Sequence, residues 1–418
     1  MFFKRLKTNT FVMNVTKVFG IKSIVLVLGM VSSIVSARLL GPEGKGIFTV
    51  AVAIAGLIVQ FGNLGIHSAN TYYLSKDQSI LPRVVGNSVA VVVMVSVISS
   101  GVFLLLKFFP NLSTLHGFTL MLVFAYIPIQ LYNMYQQNYF IALDKIKKYS
   151  IIEMLSGIAY PILLIVTAFF RNWSISANLA LVLSILASVL VLGVGAFMLK
   201  GELKGKIRID KTLFRNMLPF GLKSYISCLL SYLVLRADIF MIDFFLSNTE
   251  NGLYSLAVNL ADIVNIIAVS VSMLLFPKLS GMKEEGSKRK FINKTLKYMA
   301  IIMLLLVVCA TIFSEFAIIW LYGKDYERSI PVFRTLMPGI FFWALSSLLF
   351  NFFASENMIG INVKASLAGL FVNIAANIIL INKMGIVGVA LASTASYIVI
   401  FIILYYMLRK MGKGECTI

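Results

Sequence analysis

Residues 220–243 read FGLKSYISCLLSYLVLRADIFMID. The stretch is long and apolar enough for a membrane-spanning helix, since about 20 residues rising 1.5 Å each cross a hydrocarbon core of about 30 Å. It nevertheless holds Lys223, Arg236, Asp238 and Asp243. A charge at the centre of a bilayer helix costs roughly 2.5–3.5 kcal/mol on insertion scales, so charges kept there need a partner, a wet cavity or an interfacial position. The opening of the stretch also has an echo. Phe19-Gly20-Ile21-Lys22-Ser23 begins an apolar run near the N-terminus, and Phe220-Gly221-Leu222-Lys223-Ser224 begins this one 201 residues later.

The rest of the chain is of the same kind. Of its 418 residues, 59% are hydrophobic and 13% charged, whereas a soluble chain is about 25% charged. Apolar runs of about 20 residues indicate helices; a transmembrane barrel would alternate over segments of about 10. The net charge of +20 would suggest nucleic acid in a soluble protein. In a membrane chain it is the signature of cytoplasmic loops, so no nucleic-acid partner is expected. Three isolated cysteines and two histidines indicate neither a disulfide framework nor a metal site. The N-terminus, MFFKRLKTNT, lacks a cleavage site after a short apolar core, so the first helix is expected to act as the insertion signal.

Twelve spans are expected, at about 12–38, 46–67, 84–107, 117–142, 151–170, 176–199, 214–237, 252–276, 295–320, 331–354, 363–381 and 385–408. With the N-terminus inside, 25 of the 37 Lys and Arg residues fall in cytoplasmic segments, 7 in outer loops and 5 within spans. That asymmetry orients the chain with both termini cytoplasmic. The longest inner connections, 200–215 and 278–297, are basic and lie along the anionic inner leaflet; they either contact phosphorylated lipid headgroups or serve orientation alone. The outer loops are too short to carry catalytic groups, so no enzyme is expected.

The two halves repeat. Gly46-Ile-Phe-Thr-Val-Ala-Val-Ala-Ile-Ala-Gly-Leu-Ile58 aligns with Gly252-Leu-Tyr-Ser-Leu-Ala-Val-Asn-Leu-Ala-Asp-Ile-Val264, with four of 13 positions identical and seven closely similar. Six spans per unit is an even number, so both units cross in the same sense. The expected fold class is therefore an all-α polytopic membrane protein. Two parallel, pseudo-symmetric six-helix bundles, residues 1–205 and 206–418, enclose a central cavity, which is a transporter architecture. Leu40–Gly46 (LGPEGKG) reads as a tight helical hairpin. It is not a phosphate loop, because Gly46 stands where that motif needs Ser or Thr.

Four constellations could carry chemistry. Ser255, Asn259, Asp262 and Asn265 lie on one helical face, and Asp262 could exchange a proton or hold Na⁺. Gln60, Asn63, His67 and Asn70 form a second face. Residues 130–139 (QLYNMYQQNY) interleave aromatics and amides, and Tyr132, Asn133, Tyr135 and Gln137 suit a glycan as well as an interfacial aromatic belt. His67 is a further glycan-contacting candidate. The fourth set is Lys22, Arg38, Lys223 and Arg236 with Asp238, in which the cations could attract a pyrophosphate and Asp238 could pair with Arg236.

Arg38-Leu-Leu-Gly-Pro-Glu-Gly-Lys-Gly-Ile-Phe48, Arg236-Ala-Asp238 followed by Gly252-Leu-Tyr254, and Asn377-Ile-Ile-Leu-Ile381 with Gly385-Ile-Val-Gly-Val-Ala390 resemble the O-antigen flippase branch of the multidrug/oligosaccharidyl-lipid/polysaccharide exporter superfamily. The resemblance covers nearly the whole chain. It implies a MATE-like fold with alternating access, in the bacterial inner membrane. It further implies flipping of undecaprenyl-diphosphate-linked oligosaccharide repeat units for O-antigen, capsule or exopolysaccharide synthesis. By position it offers Arg236, Arg38, Lys22 and Lys223 to the diphosphate, and Asp262 and Asp238 to a coupling H⁺ or Na⁺, with no other cofactor. A glycan polymerase and a chain-length regulator are the implied partners, besides membrane lipids. Alternatives are a multidrug/cation antiporter of the same superfamily, disfavoured by the Lys and Arg within spans, and a lipid II flippase, whose relatives resemble 14-span proteins.

Overall fold

Glycine decides where the longest helices turn. In the computed structural model, α1 (Phe2–Asn63) leaves helical geometry at Gly41 (φ 66°, ψ 177°), with Pro42 directly after it. Glycine takes a positive φ without steric cost, and proline suits the first turn of the helix that follows. The hairpin expected at Leu40–Gly46 therefore forms at this point. The same device recurs in α13 (Ile359–Met411), which breaks at Gly385 (φ 56°, ψ −139°). Its 53 residues would otherwise run about 80 Å, far more than a bilayer core.

Between these lie α2 (Ile66–Lys76), α3 (Leu81–Phe108), α4 (Gly117–Ala142), α5 (Ile146–Phe170), α6 (Ala177–Lys200), α7 (Lys211–Phe245), α8 (Asn248–Val264), α9 (Ile266–Ser280), α10 (Glu285–Ile312), α11 (Ser314–Tyr322) and α12 (Ser329–Ser355). The structure describes residues 2–108, 115, 117–171, 173–280, 282 and 284–411, without the side chains of 2–19, 21–23, 26, 106–108, 223, 224, 227, 228, 273, 274, 276, 277, 280 and 285. Among the described residues there is no strand. Eight helices there are long and apolar enough to cross a membrane, or nine if the bent pair α8–α9 is one span. Two of the eight are the kinked helices α1 and α13, each of which holds two of the twelve expected segments; α7, which holds the expected span 214–237 and its charges, is not among the eight.

Three expected spans are interrupted, one of them 295–320, which breaks at Phe313 between α10 and α11. The segment 46–67 ends at Leu64 (φ 49°) and Gly65 (φ 73°), and what was expected to be loop beyond it is the helix α2. The segment 252–276 bends by 50° between α8 and α9. Capping fixes the start of α8, where Ser247 Oγ accepts from Glu250 N at 3.3 Å, the Ser-x-x-Glu arrangement that satisfies otherwise unpaired helix N–H groups.

The chain divides into two compact units, one ending at Leu229 and the other beginning at Leu230. In the first, α1 packs on α4 and α5, and α4 packs on α2, α3 and α6. Leu164, Ala168 and Ala180 are fully buried there against Phe48 and Tyr160. In the second, α12 lies against α8, α9, α10 and α13, and it buries Ala344, Leu348, Leu349 and Phe353 completely. Gly339 and Gly369 permit the closeness of α12 to α13 and of the two halves of α13. A Cβ at Gly339 would lie 2.7 Å from Thr394 Oγ1, and one at Gly369 would lie 2.4 Å from Ile400.

Candidate functional site

The charge that made residues 220–243 unusual is accounted for in the second unit. Asp238 is 3% exposed. Tyr254 Oη donates to its Oδ2 at 2.5 Å, and Ser393 Oγ donates to the same oxygen. Asn373 Nδ2 and Asn377 Nδ2 donate to its Oδ1 at 2.9 and 3.1 Å. Asn373 and Asn377 are four residues apart, so they present their amides from one face of a helix. Ser393 arrives on the second half of α13, after the Gly385 break. The cage ties its own members together: Asn373 Nδ2 also reaches Ser393 Oγ at 3.2 Å, and Asn377 Nδ2 reaches Asn373 Oδ1 at 3.0 Å.

A carboxylate has about four lone-pair sites, and here four neutral donors fill them. Among the described residues no Lys or Arg forms an ion pair with Asp238, so its negative charge is held by dipoles alone. A cation could reach this carboxylate only where one of the four donors turns aside. Asn377 Oδ1, a neutral oxygen beside the carboxylate, is buried without a hydrogen-bond partner. Amide orientation is assigned from the hydrogen-bond network, and turning either amide over would present another oxygen to a cation. No group of three His, Cys, Asp or Glu side chains converges among the described residues, here or elsewhere.

Arg236 is half-buried. It does not pair with Asp238 among the described residues; it acts electrostatically on Tyr232, Asp262 and Tyr397. Asp262 is exposed and stands three residues before Asn265, the residue between α8 and α9. Asn265 is buried and its Oδ1 has no hydrogen-bond partner. Arg38 is exposed. Lys22 and Lys223 lie on α1 and α7, with side chains outside the described set.

In the first unit the amide and aromatic patch of α4 turns largely inward. Tyr135 is fully buried, and Asn133 is 7% exposed, donating from Nδ2 to Ser188 O at 3.0 Å. Tyr132 and Gln137 are half-buried. His67 holds the break that ends α1. Asn63 Nδ2 meets its Nδ1 at 2.5 Å, Ser68 Oγ meets its Nε2 at 3.0 Å, and its backbone N donates to Asn63 Oδ1 at 3.2 Å. Thr71 Oγ1 donates to Asn138 Oδ1 at 3.1 Å, which joins the polar faces of α2 and α4. Lys45, from the hairpin, is 5% exposed. It donates to Ser36 Oγ at 2.7 Å and lies 5.7 Å from the Phe48 ring centroid.

Sequence reasoning named Asp238 but missed Tyr254, Asn373, Asn377 and Ser393 as its partners. The available signal was two asparagines at helical spacing in an otherwise apolar run.

The sequence profile of a family described as "Polysaccharide biosynthesis protein" matches residues 35–331. The putative O-antigen transporter of Shigella flexneri is 24% identical over 397 residues, covering 90% of this chain and 92% of that protein. Among solved structures, the lipid II flippase MurJ in an inward closed conformation superposes with a TM-score of 0.74 at 17% identity, over 94% of this chain and 87% of that one. An inward-facing multidrug resistance MATE family transporter of the MOP superfamily gives 0.75 at 13% identity, over 94% and 96%. At these identities the two structures show the fold alone.

Proposed function

We propose a function from one premise: the chain belongs to the polysaccharide biosynthesis protein family. It is a multi-pass membrane protein with the fold of MATE transporters, and it is a transporter rather than an enzyme. Its proposed cargo is a lipid-linked oligosaccharide, flipped from one leaflet of the bacterial inner membrane to the other. The O-antigen transporter similar over nine-tenths of both chains supports this reading. The finer form of the proposal is an undecaprenyl-diphosphate carrier with a glycan repeat unit, delivered to a glycan polymerase and its chain-length regulator.

The observation that carries the mechanism is the Asp238 cage. A buried carboxylate inside membrane-spanning helices is expensive and marks an ion or substrate path. Neutralisation of Asp238 by H⁺ or Na⁺ changes the charge within the second unit, and a ligand that binds one conformation better shifts the population toward it. Arg236, two residues away on α7, is the proposed contact for the diphosphate. Asp262 competes with the diphosphate for Arg236. The test is genetic and direct. Deleting the gene should remove the surface glycan, and an Arg236→Ala variant should be expressed normally yet fail to restore it. Restoration by Arg236→Ala would remove the diphosphate role. Efflux of organic cations with an unaltered surface glycan would replace the whole reading with a multidrug antiporter.

A further inference from the structure

The connection between the two repeats, residues 201–210, is clamped at its C-terminal end. Asp210 N donates to Asn87 Oδ1 at 2.8 Å, and Asn87 Nδ2 donates back to Asp210 O at 3.0 Å. Arg208 N reaches Pro82 O at 3.4 Å. Gly86 lets the backbone come close, since a Cβ there would lie 2.3 Å from Arg208 O. Both acids of the connection are turned to the first unit: Asp210 pairs with Arg83 at 3.3 Å, and Glu202 pairs with Lys148 at 2.7 Å and Lys145 at 3.5 Å. The six basic residues from Lys200 to Arg215 are all exposed. None of the six forms an ion pair among the described residues.

Two isoleucines stand among these bases with their side chains in the open. Ile207 is 53% exposed and Ile209 is 63% exposed. Orientation by positive charge accounts for basic residues in a cytoplasmic loop. It does not account for exposed β-branched apolar side chains on a clamped backbone. Apolar side chains flanked by Lys and Arg are the chemistry of a segment lying in the interface of an anionic bilayer.

We propose that residues 204–211 (KGKIRIDK) are a membrane-surface anchor that seats Ile207 and Ile209 in the interface of an anionic leaflet while Lys204, Lys206, Arg208 and Lys211 meet its phosphates. The anchor is independent of what the protein transports. Because the segment is clamped to α3 and continues into α7, it holds the start of α7 at a fixed depth.

The experiment uses the full chain in liposomes, with its native cysteines replaced by serine and an environment-sensitive dye on Ile209→Cys. In phosphatidylcholine vesicles with about a third phosphatidylglycerol, spin-labelled lipid should quench the dye and aqueous iodide should not. In pure phosphatidylcholine, or in high salt, which shortens the Debye length to about 3 Å at 1 M, iodide should gain access. The exposed triple replacement Lys204→Gln, Lys206→Gln, Arg208→Gln removes up to about a hundredfold of the attraction and should behave in anionic vesicles as the parent does in neutral ones. Iodide access equal in all vesicles would overturn the anchor. So would lipid quenching that ignores phosphatidylglycerol, because the bases would then do nothing. Neither result depends on glycan flipping, so failure here leaves the transport reading standing, and the reverse holds too.

Discussion

Replacing Asp238 separates its structural role from its charge. In Asp238→Ala, four donors lose their acceptor. Three bonds among the remaining members can persist: Asn373 to Ser393 at 3.2 Å, Asn377 to Asn373 at 3.0 Å and Tyr254 to Ser393 at 3.4 Å. The first two of these already coexist with the bonds to Asp238, so only one freed hydroxyl regains a partner and about three donors are left unpaired, at about 1–3 kcal/mol each; the alanine variant should lose roughly 3–9 kcal/mol and be poorly folded. Asp238→Asn keeps the shape and one acceptor oxygen, so its loss should stay near about 1–3 kcal/mol. That variant tests function. Purified protein is melted in detergent at constant ionic strength with Na⁺ exchanged for K⁺, and again across pH. A ligand that binds only the folded state at 100 times its dissociation constant stabilises by about 2.7 kcal/mol. The parent should show a cation- or proton-dependent rise in melting temperature, and Asp238→Asn should show none while also abolishing surface glycan. A folded Asp238→Asn that displays normal glycan would make the cage a packing device and refute the coupling role.

Other consequences are open to similar tests. Arg236→Lys should restore surface glycan only in part, since an ammonium lacks the guanidinium fork for a diphosphate; full restoration would leave only a point charge in that role. Gly65→Ala should lower yield and melting temperature sharply, because φ is 73° and a Cβ would lie 2.1 Å from Gly221 O, whereas Gly101→Ala, with nothing within 4 Å, should leave both unchanged. The backbone N–H of Leu213 and then Arg83 hold the Asp210 carboxyl below its usual range, and a bond from Lys148 does the same for Glu202. Their stabilisation is therefore fully present above the usual carboxylate range and is lost as pH falls through their lowered values; melting temperature against pH should show that slope, and Asp210→Asn should flatten it.

Much of the fold was legible because membrane helices advertise themselves. Long apolar runs, the Gly41-Pro42 punctuation and the repeat of Gly46–Ile58 in Gly252–Val264 led to an all-helical transporter architecture, which the structure and its MATE and MurJ neighbours share. The breaks at Leu64–Gly65 and Asn265 were not legible. Hydropathy continues through them: Gly65 is one glycine among many in the apolar runs, and Leu64 and the bend at Asn265 leave no compositional trace. Of the site, Asp238 stood out because a carboxylate in an apolar run needs explanation. Its partners did not, because Tyr254, Asn373 and Ser393 are ordinary in membrane helices and only the packing of α7, α8 and α13 brings them together. The patch at Tyr132–Gln137 suited a glycan and an interfacial aromatic belt equally from its composition. Period alone could not tell which face of α4 was turned inward, and Tyr135 and Asn133 are buried.

The most direct test is translocation by the purified chain. Liposomes carrying a fluorescent undecaprenyl-diphosphate oligosaccharide in one leaflet would be followed by reductive bleaching of the exposed label, with and without an imposed Na⁺ or H⁺ gradient. The account predicts that the parent protein moves the lipid-linked glycan between leaflets, that one of the two gradients accelerates it, and that Asp238→Asn abolishes the acceleration. Label that stays in its original leaflet under every gradient, in vesicles where the same protein expels an organic cation, would contradict it.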